Sequence, residues 1–375
     1  MAGFSATDHA LMARALRLAE RGLYTTQPNP RVGCVIAHDG EIVGEGWHQR
    51  AGEPHAEVLA LRAAGERARG ATVYVTLEPC AHYGRTPPCA NALIEFGVAR
   101  VIAAGEDPNP HTNGSGLQRL REAGIEVQSG LMSEAARELN RGFFARIERG
   151  RPWVRVKLAM SLDGRTALGN GESKWITGDA ARADVQRWRA RSSAILTGAG
   201  TARVDDPRLT VRFRGNHPHP NPPLEGEGFK PTRIVLDAQL DALPAAAHLL
   251  DGSAPTLVVH APGAQARDQR YANTELAPIA VDARGRFDLT GLMRLLAQRE
   301  INELQVEAGS SLCGALFEAG LVDELLLYVA PVLLGDTAQP LLALASLTAM
   351  SGRRALRMVD QRRIGEDTRL LLRPS

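Results

Sequence analysis

Four residues in the first quarter of the chain have the types and spacing that suit metal-assisted hydrolysis. His55 and Glu57 stand in the stretch HAEV, and Cys80 and Cys89 follow in EPCAHYGRTPPC. One histidine and two cysteines can hold zinc and leave its fourth position to water, whose pKa zinc lowers toward ~7. Glu57 is then placed to carry a proton from water to a leaving amine, as hydrolytic deamination requires. A closed structural zinc site with His82 as fourth ligand is the alternative.

Local patterns place three of these residues at the starts of two helices. Pro54 precedes a helical pattern that begins at His55, and two prolines precede another that begins at Cys89. A helix N-terminus favours negative charge, so a thiolate there is stabilised. A spacing of two does not put side chains on one helical face. That His55 and Glu57 both face the metal therefore does not follow from their spacing.

The rest of the first 150 residues alternates between helical and β patterns. An apolar period predicts a helix at 8–21, and β-rich runs on either side of His38, Asp39 and Gly40 predict a hairpin. The alternation predicts an α/β domain with helix–sheet–helix layering. The remaining predicted elements are helices at 55–68 and 87–97 and strands at 71–78, 100–105 and 124–130.

A second α/β series follows a boundary near 143–153, where the pattern lapses into charges, glycine and proline. We expect a first domain at 1–147 and a second at 148–375. The stretch 214–230 is rich in proline and glycine and almost without apolar residues, which predicts a flexible surface insertion, with a functional lid as the alternative. The predicted strands are 153–161, 194–200, 232–237, 255–260, 303–309 and 324–335, and the predicted helices are 178–191, 288–300 and 310–320.

Composition limits the classes of function and the compartment. The net charge of +2 is too small to indicate a nucleic-acid-binding protein, and no apolar run reaches the ~18 residues that predict a membrane span. The first residues do not read as an export signal, so the four cysteines are predicted to be reduced in a cytoplasmic protein. Of these, Cys34 and Cys313 are expected to be buried in the core.

The metal motif resembles a known superfamily, and flanking motifs narrow the resemblance. His55-Ala56-Glu57 with Pro79-Cys80 resembles the zinc-dependent cytidine-deaminase superfamily. The eight residues between the cysteines, PNPRVGCVI at 28–36 and DPNP at 107–110 resemble the deaminase half of the bifunctional riboflavin-biosynthesis deaminase/reductase family. The resemblance implies that His55, Cys80 and Cys89 bind zinc and that Glu57 shuttles the proton. It also implies that Asn29 contacts the substrate, although an Asn-Pro turn alone would explain Asn29.

The residues of the second half give a weaker signal by themselves. VEAGSSLCGAL predicts a helix start whose free N–H groups can bind phosphate, but it is not a strict G-x-G-x-x-G fingerprint. The blocks SLDGRTA, SKWITG, TARVDDPRLTVR, VEAGSSLCGAL and LVDELLLYVAPVLLG resemble the reductase half of the same family, in order. The resemblance implies a fold like that of dihydrofolate reductase and NADPH as cofactor.

The resemblance also implies roles for particular residues of the second half. Two arginines suit a ribose-phosphate tail, because guanidinium pairs bidentately with phosphate. Two alternatives stay open: Trp175 as a core aromatic residue and Arg189 as a surface residue. The residues implied to lie against NADPH are Ala159, Trp175, Thr201, Asp205 and Gly309. Those implied to hold the substrate are Ser173, Arg189, Leu209, Arg212 and Glu307, with Lys157 expected to position it.

The family resemblance implies a bifunctional enzyme that acts on a small pyrimidine ribotide. The first domain would remove the 2-amino group of 2,5-diamino-6-ribosylamino-4(3H)-pyrimidinone 5′-phosphate. The second would pass hydride from NADPH to the ribose C1′, giving 5-amino-6-(5-phosphoribitylamino)uracil. Oligomers formed through the reductase domain are implied as well, and neither nucleic acid nor membrane is expected as a partner.

Two other classes of function compete with this interpretation. A nucleic-acid-editing deaminase would need a concentrated basic surface and stacking aromatic residues, whereas aromatic residues make up 5% of the chain. A non-catalytic metal-stabilised protein would need a fourth protein ligand.

Overall fold

The chain forms two compact units in the computed structural model, which describes residues 3–83, 87–110, 112–212 and 230–375. Described residues up to Arg149 belong to the first unit, and those from Gly150 belong to the second. The predicted insertion at 214–230 lies outside the described residues except for Lys230. No helix in the described ranges is both long and apolar enough to cross a bilayer.

The first unit consists of helices around a mixed sheet. Within the described residues its helices are α1 (Ala6–Glu20), α2 (Ala56–Ala64), α3 (Cys89–Phe96), α4 (Ser115–Glu122), α5 (Ser133–Leu139) and α6 (Arg141–Arg149). Its strands are β1 (Gly33–His38), β2 (Glu41–Trp47), β3 (Thr72–Val75), β4 (Arg100–Ala103) and β5 (Glu126–Ser129), in the order β2-β1-β3-β4-β5.

The sheet of the first unit is covered on both faces because its strands alternate two sets of apolar side chains. Cys34 and Ile36 of β1 pack into a cluster with α2, α3 and α4, whereas Val35 and Ala37 pack with α1 and α5. Since successive strand side chains point to opposite faces, one strand supplies both layers. The predicted three-layer α/β/α arrangement is therefore confirmed.

Helix α2 lies unusually close to strand β2. A Cβ atom built on Gly46 would lie 2.4 Å from the carbonyl oxygen of Ala56, at the start of that helix. Only glycine permits such a close approach of two backbones. The contact holds the N-terminal turn of α2, which carries His55 and Glu57, against the end of the sheet.

The second unit is built on a larger sheet, also with helices on both faces. Its helices in the described ranges are α7 (Asp179–Arg191), α8 (Ala199–Asp205), α9 (Leu289–Gln298) and α10 (Ser310–Glu318). Its strands are β6 (Trp153–Ser161), β7 (Arg165–Ala167), β8 (Ala194–Gly198), β9 (Thr232–Leu236), β10 (Thr256–His260), β11 (Glu275–Pro278), β12 (Glu303–Val306), β13 (Glu324–Ala330), β14 (Gln339–Pro340), β15 (Leu356–Ile364) and β16 (Asp367–Pro374).

Strand order brings the strands that carry or precede several predicted site residues of the second unit next to one another. The order is β11-β10-β9-β8-β12-β6-β13-β16-β15, parallel from β11 to β13 and antiparallel beyond, and β7 pairs with β14 separately. The chain runs from β6 to β8 and later returns to place β12 between them. The carboxyl ends of β6, β8 and β12 therefore meet where the direction of winding reverses, which is where open α/β sheets bind ligands.

Most predicted elements are confirmed, and the differences have physical causes. The hairpin at Asp39-Gly40, helix α3 ending at Gly97 and the strands of both series are present. The prediction that regular structure ends near 143 is wrong, because helix α6 continues to Arg149. The helix buries Phe143 and Phe144 together with Arg141, and its exposed charged residues are Glu148 and Arg149 near its end. Helices α4, α5 and α8, strands β7, β11 and β14, and the hairpin β15–β16 were not predicted.

Candidate functional site

The three predicted metal ligands come together at one end of the first sheet. His55 is the N-cap residue of α2, Cys89 is the first residue of α3, and Cys80 lies in the loop after β3. One donor atom from each residue lies within 4.8 Å of the other two. His55 Nδ1 is 3.3 Å from Cys89 Sγ and 3.7 Å from Cys80 Sγ. Residues far apart in sequence thus converge on one small volume.

These distances match the donor spacing of a tetrahedral zinc site. With Zn–S near ~2.3 Å and Zn–N near ~2.0–2.1 Å, tetrahedral donors lie about 3.5–3.8 Å apart. Among the described residues, His82 is not part of this donor cluster. Its Nδ1 is hydrogen-bonded to the Thr112 hydroxyl at 3.3 Å. Three protein donors of this chemistry suit a zinc ion that keeps one position for another ligand.

Cysteine electrostatics also favour metal binding. The Cys89 thiol donates toward Cys80, and with His55 beside it this lowers the pKa of Cys80 to about 4 despite burial. The same bond and burial raise the pKa of Cys89. The pair therefore favours a thiolate at Cys80, and a bound cation would favour the second, because thiolate is the form that ligates metal.

Glu57 faces the same volume although its spacing from His55 did not predict it. His55 has an extended backbone, with φ −72° and ψ 165°, so it lies outside the helical geometry that separates residues two apart. The carboxyl of Glu57 is 3% exposed and hydrogen-bonds with Cys89. Burial raises the pKa of Glu57 to about 7, and a bound cation would lower it. A carboxyl poised in this way can both take up and give back a proton.

Sequence reasoning missed His48, which connects Asn29 to the metal pocket. The His48 side chain is 3% exposed, and its ring lies edge-on to His55 with centroids 5.4 Å apart. The Pro54 carbonyl accepts from Nδ1 at 3.2 Å, so Nε2 is left to accept from the Asn29 amide at 3.1 Å. This contact weakens the alternative that Asn29 serves only as a turn residue. The end of a predicted strand, GWH, was the only local signal.

In the second unit, Arg189 and Glu307 form a bidentate pair beside Lys157. Arg189 Nε and Nη2 each donate to Glu307 at 2.7 Å, and Nη1 donates to the Thr210 carbonyl at 3.1 Å. Burial would raise the pKa of Glu307, but the charges of Arg189 and Lys157 hold it at about 2. Burial lowers the pKa of Lys157. The alternative of Arg189 as a surface residue is wrong, since it is 8% exposed.

The other substrate residues differ in how they can serve. Leu209 is 2% exposed and packs in the core beside α8, so only its main chain can reach a ligand. The Arg212 side chain is exposed, and its backbone N–H donates to Gln186 at 2.9 Å. Ser173 is half-buried in the loop before α7. The guanidinium of Arg189 is turned to Glu307.

Two of the predicted NADPH residues, Thr201 and Gly309, meet at that sheet edge. Thr201 Oγ1 accepts from the Gly309 N–H at 3.2 Å, which joins the starts of α8 and α10. Ala159 is on β6, and Asp205 ends α8. Trp175 is 71% exposed, with the Arg182 guanidinium 4.6 Å from its ring centroid, so its alternative as a core residue is wrong. Cys34 and Cys313 are fully buried, as predicted.

The Arg189–Glu307 pair leads to a prediction about stability. The folded pKa of Glu307, about 2, lies below its ordinary value of 4.5. Its stabilising contribution is therefore fully present above pH 4.5 and is lost as pH falls through 4.5 toward 2. Replacing Glu307 with Gln leaves a buried guanidinium without its carboxylate and should cost about 3–5 kcal/mol at pH 7, or roughly 10 °C in Tm.

Thermal unfolding of the second unit from pH 7 to pH 2.5 checks this, with Glu318→Gln as control. Glu318 pairs with Arg354 at 3.0 Å, but both side chains are about 40% exposed, so the control should cost under ~1 kcal/mol. The difference in unfolding free energy between wild type and Glu307→Gln should become smaller below pH 4.5. The prediction would be contradicted if both variants lost the same amount of stability. It would also be contradicted if the stability lost in Glu307→Gln did not change with pH.

Comparisons with known proteins agree with both halves of this picture. Residues 5–105 match the family model "Cytidine and deoxycytidylate deaminase zinc-binding region", and residues 152–370 match "RibD C-terminal domain". The riboflavin biosynthesis protein RibD of Escherichia coli is 49% identical over 372 residues, covering 97% of this chain and 99% of the relative.

Solved structures extend the comparison to the fold. RibD of Acinetobacter baumannii superposes with a TM-score of 0.90 at 44% identity, covering 98% of this chain and 99% of that one. A diaminohydroxyphosphoribosylaminopyrimidine deaminase/5-amino-6-(5-phosphoribosylamino)uracil reductase of Thermotoga maritima gives 0.85 at 32% identity, covering 98% and 99%. The chain therefore belongs to the bifunctional riboflavin-biosynthesis deaminase/reductase family, with a zinc-dependent deaminase domain and an NADPH-dependent reductase domain.

Proposed function

We propose that this chain deaminates 2,5-diamino-6-ribosylamino-4(3H)-pyrimidinone 5′-phosphate and then reduces the product to 5-amino-6-(5-phosphoribitylamino)uracil. The observation that carries the proposal is the convergence of His55, Cys80 and Cys89 at zinc spacing around the buried Glu57. The activities named for the Thermotoga maritima relative, which the chain matches over nearly its whole length, give the substrate class.

In the deaminase domain, His55, Cys80 and Cys89 would hold zinc, which activates water for attack on carbon at neutral pH. Glu57 would accept a proton as the water oxygen bonds to C2 of the pyrimidine. It would then deliver a proton to the 2-amino nitrogen as the C–N bond breaks and ammonia leaves. The burial of Glu57 suits both steps, because a carboxyl with a raised pKa exchanges protons readily near neutrality.

Asn29 and His48 would orient the pyrimidine in this pocket. The His48 ring is held by the Pro54 carbonyl on one side and by the Asn29 amide on the other. The Asn29 amide still has an acceptor oxygen and a second N–H for a polar edge of the ring. Fixing that side chain before the substrate arrives reduces the entropy lost on binding.

In the reductase domain, NADPH supplies a hydride to the ribose C1′. The first turn of the nine-residue helix α10, which starts at Ser310 beside the Gly309–Thr201 contact, would offer its backbone N–H groups to a phosphate of the cofactor. A Cβ built on Gly200 meets no atom within 4 Å, which leaves room for a ligand there.

The charged residues beside that edge would hold the ribotide. Lys157 and the Arg189–Glu307 pair would position the sugar, and Arg212 would bind the phosphate. As hydride adds to C1′, the bond from C1′ to the ring oxygen breaks, and that oxygen takes up a proton. Ala159, Trp175, Thr201, Asp205 and Gly309 would face the cofactor, and Ser173 with the main chain at Leu209 would face the substrate.

We also propose the division of labour, the compartment and the assembly. Residues 1–147 would carry deamination and residues 148–375 reduction. Zinc-binding thiols favour the reducing cytoplasm. The edge strand β15 exposes Leu356, Met358 and Val359, which supports a homo-oligomer formed through the reductase domain. Light scattering that gives the 40.3 kDa mass of one chain would contradict the oligomer.

Mass spectrometry of the products tests the proposed function directly. The zinc-loaded protein is given the diamino-pyrimidine ribotide with and without NADPH. We expect the deaminated ribotide and ammonia without NADPH, and the ribityl product with it. Deamination without reduction would refute the assignment of the second domain, and a lack of ammonia would refute the substrate.

A further inference from the structure

Glu78, two residues before the zinc ligand Cys80, is a buried carboxylate with an unusual set of partners. Its side chain is 4% exposed, and it accepts four backbone hydrogen bonds. Oε2 accepts from Asp107 at 3.0 Å and Gly114 at 2.9 Å. Oε1 accepts from Gly116 at 2.8 Å and Leu117 at 3.2 Å. One carboxylate thus satisfies four N–H groups of a segment about thirty to forty residues away.

These four groups belong to the β4–α4 loop, defined as residues 104–110 and 112–114, and to the first turn of α4. Gly116 and Leu117 have N–H groups without partners inside the helix, because they stand in its first turn. Glu78 therefore caps α4 from outside, and the same carboxylate holds the loop at Asp107. The backbone of Glu78 adds a bond from its N–H to the Gly105 carbonyl at 3.0 Å.

The loop lies beside the metal pocket because β3 and β4 are parallel neighbours. Their carboxyl ends meet at one edge, where β3 leads to Cys80 and β4 leads to the loop. The Thr112 hydroxyl of the loop bonds His82 at 3.3 Å. The loop thus adjoins the turn that carries Cys80.

A close backbone contact reinforces this arrangement independently of the carboxylate. A Cβ built on Gly116 would lie 1.8 Å from the carbonyl oxygen of Pro79, the residue before Cys80. The first turn of α4 therefore rests directly on the peptide that leads into the zinc ligand. A shift of the loop and α4 would therefore also displace this peptide.

We propose that Glu78 is a positioning residue for deamination, which holds the β4–α4 loop against the Cys80 turn and so preforms one wall of the substrate pocket. The inference rests on the proposed deamination at this site. Glu78 touches neither zinc nor the reacting atoms in this role. Its loss should therefore weaken substrate binding more than it weakens the chemical step.

Glu78→Gln in the zinc-loaded full chain is the first test. Glutamine keeps the shape but replaces one acceptor oxygen with a donor, so two of the four N–H groups lose their acceptor. We expect KM for deamination to rise about tenfold or more, with kcat lowered only a few-fold. Zinc should stay at one per chain, and reduction of the deaminated ribotide should be unchanged.

Amide hydrogen exchange gives a second readout that does not depend on activity. Peptides that cover 105–117 should exchange at least about tenfold faster in Glu78→Gln, while peptides from α2 and β3 keep the wild-type rate. If Glu78→Gln does not fold, Glu78→Asp carries the same test, because its shorter carboxylate cannot reach both the loop and α4. The same pattern of exchange and KM is expected.

Asp8→Asn is the matched control. Asp8 is also a 4% exposed carboxylate of the first unit, and it accepts from Ser5 and Tyr74 at the start of α1. It should lower thermal stability without raising KM. A KM within twofold of wild type in Glu78→Gln, an equal rise in Asp8→Asn, or zinc loss in proportion to activity would overturn the inference. A wild-type protein that releases no ammonia would instead refute the proposed function, and the inference with it.

Discussion

Replacing Glu57 with Gln is expected to lower the rate of ammonia release by about 10²–10⁴-fold, the usual contribution of a general acid–base group. Glutamine fills the same space at the start of α2 but cannot accept a proton from water or give one to the leaving amine. Zinc binding should persist, because Glu57 is not one of the three donors that cluster. The reductase domain has its own core, so reduction of the deaminated ribotide should be unchanged.

The measurement is ammonia release by the zinc-loaded variant at saturating ribotide, with zinc content determined on the same sample. Glu53→Gln is the control, since Glu53 precedes the same helix but is exposed. It should leave the rate within about twofold of wild type, as surface changes usually do. Full activity in Glu57→Gln with one zinc per chain would assign the proton transfer to another group.

Loss of the metal is expected to abolish deamination and to leave reduction intact. Cys89 supplies one of three donors and is fully buried at the start of α3, so Cys89→Ala leaves only His55 and Cys80 to hold the ion. Two ligands cannot complete a tetrahedral catalytic site. We expect zinc content to fall to near zero and ammonia release to fall below detection. Stripping wild-type protein with a chelator should give the same result, reversed by added zinc.

Cys34→Ala controls for the loss of a buried thiol from the same domain. Cys34 is fully buried on β1 but lies outside the donor group, so this variant should keep one zinc per chain. Reduction of the deaminated ribotide by NADPH should be within twofold of wild type in Cys89→Ala. Parallel loss of both activities would show that zinc supports the whole chain rather than one domain, and would contradict the assignment of the metal.

Local sequence signals predicted most elements because those signals act within a few residues. The apolar period at 8–21 produced α1, and the turn at Asp39-Gly40 produced the β1–β2 hairpin. Prolines before Cys89 and Gly97 after it bounded α3. Local patterns did not predict α6 and β15, because charged residues interrupt or replace the apolar ones there. The apolar stripe of helix α6 is short, since it consists of Phe143, Phe144 and Ile147 between charged residues. Strand β15 is exposed along most of its length and has no buried apolar face.

The chain's own sequence determined which side chains are available for chemistry and which elements carry them. One histidine, one cysteine and a glutamate stand at helix starts, a second cysteine follows a predicted strand, and that much follows from residue identity and spacing. The tertiary structure alone decided that they meet. The extended backbone of His55 turns its ring to the side that Glu57 faces, and the contact of Gly46 with α2 places both at the end of the sheet.

Long-range packing likewise decided which residues surround that chemistry. His48 joins Asn29 to the metal pocket, Glu78 holds a loop some thirty residues away, and Arg189 turns to Glu307 rather than to solvent. None of these pairs has a local signature, because a buried polar group needs a partner and the fold brings that partner from a distant part of the chain. The sequence alone therefore predicts the reactive groups, whereas burial and strand order determine which residues surround them.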